Sequence, residues 1–435
     1  MLWPVRSFSY PDFLLYWVGM VISFTGSWAQ SLALAWLVLD LTKGPPYIDH
    51  QGLYLGLVTA CGTVPFLILA LPAGVIADRL TKRKITLITQ TLAMVQAAVL
   101  GALAYYHMIH VWHVLALATF GGTVSAIDVP ARQSMTAELV GKEDLVNAVA
   151  LGSLAFNGAR IVGPAIGGVL LYKYGASMCF FVNAISFIAA IAALALIRSP
   201  KRIARPKEVR MLPEVVEGFR YVMSNTLVRD LMLMTVIICV FGTQYATVMP
   251  IWVKNVLHQD ASVLGLIMSL TGLGAALGAI TVATIGHKFR QGAITLAGIS
   301  LLSISLIVFA LSPGIHIPFL LPVFKLAGWN SHVFLLPSSI NLSVLVMVFV
   351  GYGMMLFLSV SNSLIQLSAP DVLRGRVISI RSLMFMGIAP PIGALLIGSL
   401  NDHAGPRLAV LLAGVVCLLT GLMFGLSSKA VRRAA

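Results

Sequence analysis

Apolar residues in this chain gather in long unbroken runs, not in the alternating or one-sided patterns of water-soluble strands and helices. Twelve runs can be read, at roughly 13–40, 53–77, 85–106, 113–131, 146–172, 177–197, 230–256, 261–285, 292–312, 341–365, 377–400 and 406–427. Each approaches or exceeds the roughly 20 residues that cross a bilayer as a helix. A lone segment in hydrocarbon has to satisfy its own backbone hydrogen bonds, so each run predicts a helix. The longest polar stretch, Arg198 to Arg229, separates six runs from six. It predicts a six-helix bundle over 1–197, a cytoplasmic linker over 198–229 and a second six-helix bundle over 230–435. Within the linker, Val215, Val216, Phe219 and Val222 fall on one side of a short amphipathic helix expected on the membrane surface. The fold class is all-α and membrane-spanning, with two pseudo-symmetric halves.

Composition agrees: only 10% of residues are charged and 59% are hydrophobic, whereas ordinary soluble domains are roughly 25% charged. The net charge of +14 would suit a nucleic-acid partner, but its placement argues otherwise. An even number of crossings puts both termini on one side. That side then holds 23 of the 29 lysines and arginines, the other side holds five, and Arg160 falls within a run. The split follows the positive-inside rule, so the basic side faces the cytoplasm of a bacterial inner membrane and meets anionic head groups. Nucleic acid is not expected as a partner. Cys61, Cys179, Cys239 and Cys417 all fall in apolar runs and imply neither disulfide nor metal. The first run is too long for the apolar core of a cleavable signal and is expected to stay as helix. No Gly-x-x-x-x-Gly-Lys-Ser/Thr loop occurs, so no nucleotide or other cofactor is expected.

The halves read as repeats. Leu55-Gly-Leu57 recurs as Leu264-Gly-Leu266, and Asp144 and Pro164 recur at one offset as Asp371 and Pro391. Such halves frame a site near the membrane midplane. Three motifs carry mechanism. Gly74-Val-Ile-Ala-Asp78-Arg79-Leu-Thr-Lys82-Arg83-Lys84 closes span 2. Gly74 admits a close helix, and Asp78, Arg79, Lys82 and Arg83 suit a charged latch that forms in one conformation and breaks in another. Gly163-Pro164-Ala-Ile-Gly167-Gly168, preceded by Gly158, offers a bent helix with a flat packing face. Asp128-Val-Pro130-Ala-Arg132 ends span 4, where Asp128 can pair with Arg132 one turn on.

The span 2–3 motif resembles the signature of the major facilitator superfamily, with Thr81 where that family usually has glycine. The Gly163 motif resembles that of the superfamily's drug and metabolite exporters. Together with Trp36-Leu-Val-Leu-Asp40-Leu-Thr42 and Ala369-Pro-Asp-Val-Leu-Arg-Gly-Arg376, the pattern resembles the branch holding the enterobactin exporter and macrolide efflux proteins. The resemblance implies secondary export of small amphipathic molecules by alternating access with proton antiport. It implies a cavity lined by spans 1, 4, 7 and 10, where Trp28, Gln30, Thr123, Gln244, Tyr245, Ser359 and Asn362 stand as candidate contacts. The span 4 arginine common in proton-coupled members is absent from Leu115–Gly121, so its role cannot be transferred.

Arg160 is an arginine at membrane depth, which by default marks function. With Asp128 and Asp40 it forms the set of coupling candidates, either meeting an anionic substrate or tuning a carboxylate that carries a proton. Two other tasks fit the same fold: lysophospholipid flipping and uptake symport. A membrane enzyme is the distant alternative, resting on His107, His110 and His113, which are spaced by three with no acid among them. No metal is expected, and a monomer suffices for this architecture. The outward loop around 312–340 matches nothing in the resemblance. A single cysteine placed at Lys84 is expected to react with a membrane-impermeant maleimide only when the cytoplasmic face is opened; labelling of intact cells would reverse the topology.

Overall fold

The computed structural model describes residues 3–79, 81–141, 143–197, 211–313 and 341–434; at 3–5, 70–79, 211–215, 285, 287, 341 and 433 it describes the backbone alone. The elements are α1 (Pro11–Leu41), α2 (Gln51–Arg79), α3 (Lys82–Tyr105), α4 (Val111–Val140), α5 (Leu145–Leu196), α6 (Met211–Ser224), α7 (Thr226–Ile237), α8 (Tyr245–Ile251), α9 (Ala261–Ile285), α10 (Gln291–Leu311), α11 (Asn341–Ser368), α12 (Asp371–Leu383), α13 (Ala389–Ser427) and α14 (Lys429–Arg433). No strand occurs among the described residues. The 312–340 loop lies almost wholly outside them.

Among the described residues ten helical segments are long and apolar enough to cross a membrane, where twelve runs were read. The difference lies in the two longest, Leu145–Leu196 with 52 residues and Asp371–Ser427 with 57. A straight helix of that length would run about 80 Å, against roughly 30 Å of hydrocarbon. Each is broken at a glycine with positive φ, Gly175 at 78° and Gly405 at 80°, a conformation glycine enters without steric cost. Beyond the first break the chain doubles back, because Cys179 Sγ lies 3.6 Å from the Gly167 carbonyl. At the other boundaries, helix outlasts hydropathy. Span 4 was read as ending at 131, but α4 continues to Val140 with Pro130 inside it.

Two compact units result, one of Met1–Leu41 with Val58–Met211, the other of Thr42–Leu57 with Leu212–Ala435. Each uses the same crossings. In the first, α1 meets the leading half of α5 at glycines: a Cβ on Gly163 would stand 2.5 Å from Trp28 Cβ, and one on Gly167 2.8 Å from Ala29 Cα. Gly122 of α4 abuts the backbone of Gly62 on α2, and Gly101 of α3 abuts the Phe181 ring. In the second unit Gly393 of α13 abuts Val240, Gly351 of α11 abuts Thr271 on α9, and Gly414 abuts Ser303 and Ile307 on α10. Lipid gives helices no hydrophobic drive to associate, so close backbone contact through small residues carries the packing.

Helix ends are tied by polar groups. Arg83 donates from Nε and Nη2 to the carbonyls of Leu194 and Ala195, 2.6 and 2.7 Å away, closing the C-terminus of α5. Asp402 accepts the Gly52 and Leu53 amides at 2.7 and 2.8 Å, capping α2. A 3-10 turn at Trp3–Ser9 docks on the start of α5. There the buried Asp144 carboxylate pairs with Arg6 and accepts the Tyr10 hydroxyl at 2.9 Å, which raises the phenol above its ordinary range. The linker helix α6 buries Val222 and leaves Val216 and Phe219 exposed. It is fastened by Glu217 to Arg376 and by the Tyr221 hydroxyl to the Ser368 carbonyl at 2.6 Å. Val215 lies among the residues with backbone alone.

The glycines of the Gly158–Gly168 motif are unequal: Gly163 and Gly167 are contact points, while a Cβ on Gly158 meets nothing within 4 Å. Gly163→Ala or Gly167→Ala is expected to cost about 1–3 kcal/mol through overpacking. Gly158→Ala should be neutral or stabilise by up to about 1 kcal/mol through helix propensity. Thermal unfolding in detergent checks the order of the three.

Candidate functional site

The first unit encloses a cavity of about 230 Å³ between α1, α3, α4 and α5. From α1 come Ser23, Phe24, Ser27, Trp28 and Ser31, spaced so that they share one helix face. From α3 come Thr89 and Gln90, from α4 Asp128 and Arg132, and from α5 Phe156 and Phe187. The wall is thus serine hydroxyls and aromatic rings around one ion pair.

Asp128 is the centre. Its carboxylate is buried, 5% exposed. It accepts the Thr89 hydroxyl at 2.5 Å and the Gln90 amide at 3.2 Å. Arg132 Nε stands 2.7 Å away as an ion pair, out of line for a hydrogen bond. Gln90 is held in turn by the Ser23 hydroxyl, which donates to its Oε1 at 3.1 Å. The Arg132 guanidinium lies over the Phe24 ring, 4.7 Å from its centre. Phe24 and Trp28 both meet the Phe156 ring edge-on at 5.7 and 5.8 Å. Arg160, one turn beyond Phe156 on α5, sits 5.8 Å from the Trp28 ring. The cavity wall therefore carries one carboxylate and one cation among aromatic faces, with Arg160 against the Trp28 ring. A carboxylate that has lost most of its water is held by paired charge and hydrogen bonds. Adding a proton or an incoming cation or anion would redistribute those bonds.

The structure puts Asp128 and Trp28 on one cavity wall and sets Arg160 against the Trp28 ring. It does not bring Asp40 to them: Asp40 lies twelve residues along α1 from Trp28, about 18 Å at 1.5 Å per residue. Gln30 is spent on stitching helices, accepting from Asn183 at 2.8 Å and donating to Gln96 at 3.1 Å. The Thr123 hydroxyl returns to the Thr119 carbonyl in its own helix. In the second unit, a π-helical turn at Ile238–Gly242 separates α7 from α8, an insertion that often marks functional sites. Gln244 donates to the Cys239 carbonyl of that turn at 3.3 Å. Tyr245 is buried beside it, and Ser359 and Asn362 lie half-buried on α11. Of the span 2–3 motif, the Gly74, Asp78 and Arg79 side chains lie outside the described residues, and Lys82 is buried. In the outer loop the His110 amide donates to His113 Nδ1 at 3.0 Å, closing a helix N-terminus; among the described residues no His, Cys, Asp or Glu group could hold a metal ion.

Thr89, Gln90, Phe24 and Phe156 were not anticipated. The Phe24–Ser27–Trp28–Ser31 stripe was open to reading as a polar-aromatic face on an apolar helix. The Thr89-Gln90 pair, two adjacent hydrogen-bonding residues within an apolar run, was a comparable signal.

A family model described as a transmembrane secretion effector matches residues 4–344. The staphyloferrin A transporter of Staphylococcus aureus is 30% identical over 257 residues, 58% of this chain and 62% of that protein. The multidrug efflux pump Tap of Mycolicibacterium fortuitum is 26% identical over 92% of this chain and 91% of its own. The enterobactin exporter EntS of Citrobacter koseri is 26% identical over 89% and 86%. Among solved structures, a bacterial homologue of the human lysosomal transporter Spinster superposes with a TM-score of 0.72 at 13% identity, covering 100% of this chain and 98% of that one. A D-xylose-proton symporter does so with a TM-score of 0.72 at 13% identity, over 97% and 98%. With the helices crossing as described and a family model spanning most of the sequence, the chain belongs to the transmembrane secretion effector family and is a membrane transporter of the major facilitator superfamily.

Proposed function

We propose that this transporter exports small amphipathic molecules, of the kind represented by drugs and siderophores, across the bacterial inner membrane in exchange for protons. The observation that carries the reading is the buried Asp128 carboxylate, bonded to Thr89 and Gln90 and paired with Arg132 inside a cavity walled by Phe24, Trp28 and Phe156. Aromatic faces suit flat apolar groups, and serine hydroxyls suit the polar atoms of the same solute. The relatives, a multidrug efflux pump, an enterobactin exporter and a staphyloferrin A transporter, support the direction and the breadth of the cargo. Asp128 takes up a proton as Arg132 is drawn elsewhere, and Arg160 sets the charge seen by the solute.

The chain crosses the membrane twelve times in this reading, counting each side of the Gly175 and Gly405 breaks, with both termini in the cytoplasm. The segments 1–197 and 230–435 act as the two moving bundles, joined by the 198–229 linker beside anionic lipid. The Gly74–Arg83 motif serves as the latch between their alternating states.

The test is efflux of a drug and iron-chelator panel from proteoliposomes under an imposed pH gradient. Wild-type protein is expected to drive export that a protonophore abolishes. Asp128→Asn should cut proton-driven export at least about ten-fold while leaving downhill counterflow, since a loss of that size is ordinary for a group acting in proton transfer. Arg160→Ala should lower export of acidic cargo most. Gradient-independent export, or an unchanged Asp128→Asn, would end the antiport reading.

A further inference from the structure

The second unit holds an arginine that the counting of cytoplasmic charge absorbs too readily. Arg381 is the eleventh residue of α12, about 15 Å along the helix from Asp371. It is flanked by apolar surfaces. Its guanidinium lies 5.8 Å from the centre of the Phe385 ring, and Nη2 donates to the Leu358 carbonyl of α11 at 3.3 Å. Its Nε is buried and has no hydrogen-bond partner. Among the described residues no carboxylate forms an ion pair with it; Glu217, Asp230 and Asp371 in this unit are taken by Arg376, Arg229 and Arg374.

A buried cation with a free donor and no counter-charge is costly unless something brings the anion. The side chain as a whole is only half-buried, and its cation is not stable against hydrocarbon. The surroundings show what the visitor would meet. A π-helical turn at Met384–Ile388 follows directly and carries Phe385, and α11 presents Asn362 one turn from Leu358 on the same face. A planar fork of donors beside an aromatic ring matches a carboxylate, or a similar flat oxyanion, joined to a ring.

We propose that Arg381 is a substrate-binding residue of the second unit, and that it selects solutes carrying an anionic oxygen group next to an apolar or aromatic body. This rests on the transport reading and adds the charge of the preferred cargo. A lipid phosphate offers the same oxygens, so the test separates the two sources.

Full-length protein in phosphatidylcholine vesicles is titrated with dansylglycine, dansylamide and dansylcadaverine, which share one fluorophore and differ in charge. Wild type is expected to bind dansylglycine at least about ten-fold more tightly than dansylamide, the range of a charge-assisted contact. Arg381→Gln should bring that ratio near one, and Arg381→Lys should restore part of it. Adding one third phosphatidylglycerol should leave the wild-type ratio within about two-fold; its collapse would assign the guanidinium to a lipid phosphate and overturn the solute reading. A ratio unchanged in Arg381→Gln with a lowered melting temperature would make Arg381 a staple on Leu358, and absence of dansylglycine binding would equally overturn the proposal. Proton-driven export of dansylcadaverine is followed in the same vesicles. If export persists while the Arg381 dependence fails, only this inference falls; if no probe of any charge is exported, the transport reading falls with it.

Discussion

The constraint from which the rest follows is that a backbone in hydrocarbon finds no water to bond. Every amide in the apolar runs is therefore paired inside its own helix. With the polar backbone sealed, helices associate only by fitting together, and side chains set how closely they approach. This explains why glycine sits at the crossings between first and fifth, second and fourth, and third and sixth helices of each unit. It also explains why buried polar side chains come in bonded sets such as Asn183–Gln30–Gln96 and Ser23–Gln90–Asp128. Such bonding offsets the cost of taking each polar group out of water.

The cavity is an exception the same rule allows. Asp128 and Arg132 are tolerable at depth because each answers the other and because Thr89 and Gln90 complete the carboxylate's bonds. Such a set is stable in one arrangement and has clear alternatives once a proton or solute intervenes. The glycine crossings fix how closely the helices approach, and the polar cluster, in the proposed function, is the part that answers a proton or solute.

Much of this was legible in the residues. Hydropathy located the helices because membrane thickness is a fixed ruler, and the breaks at Gly175 and Gly405 fall where polar punctuation interrupts the apolar runs. What hydropathy could not see was helix continuing beyond the lipid. The nine-residue α4 extension from Arg132 to Val140 is amphipathic and reads as a loop. The π-helical turns also left no periodic trace, since one inserted residue changes no average. Side-chain roles divided along the same line. The Asp128–Arg132 pairing is local, one turn apart, and could be read directly. Gln30 looked like a cavity residue because its true partners, Gln96 and Asn183, are distant in sequence. Arg381 looked like ordinary cytoplasmic charge because its place along the helix depends on where α12 begins, six residues earlier than the apolar run suggests.

The Gly163 and Gly167 crossing has a corollary for the chamber. It clamps the main chain of α1 at Trp28 and Ala29 directly against α5, so the aromatic rings facing the cavity inherit fixed anchor points. Ring tips at Phe24 or Phe156 can be trimmed or enlarged without disturbing the scaffold behind them. The width of the chamber is then adjustable one side chain at a time while the seam behind it keeps its spacing.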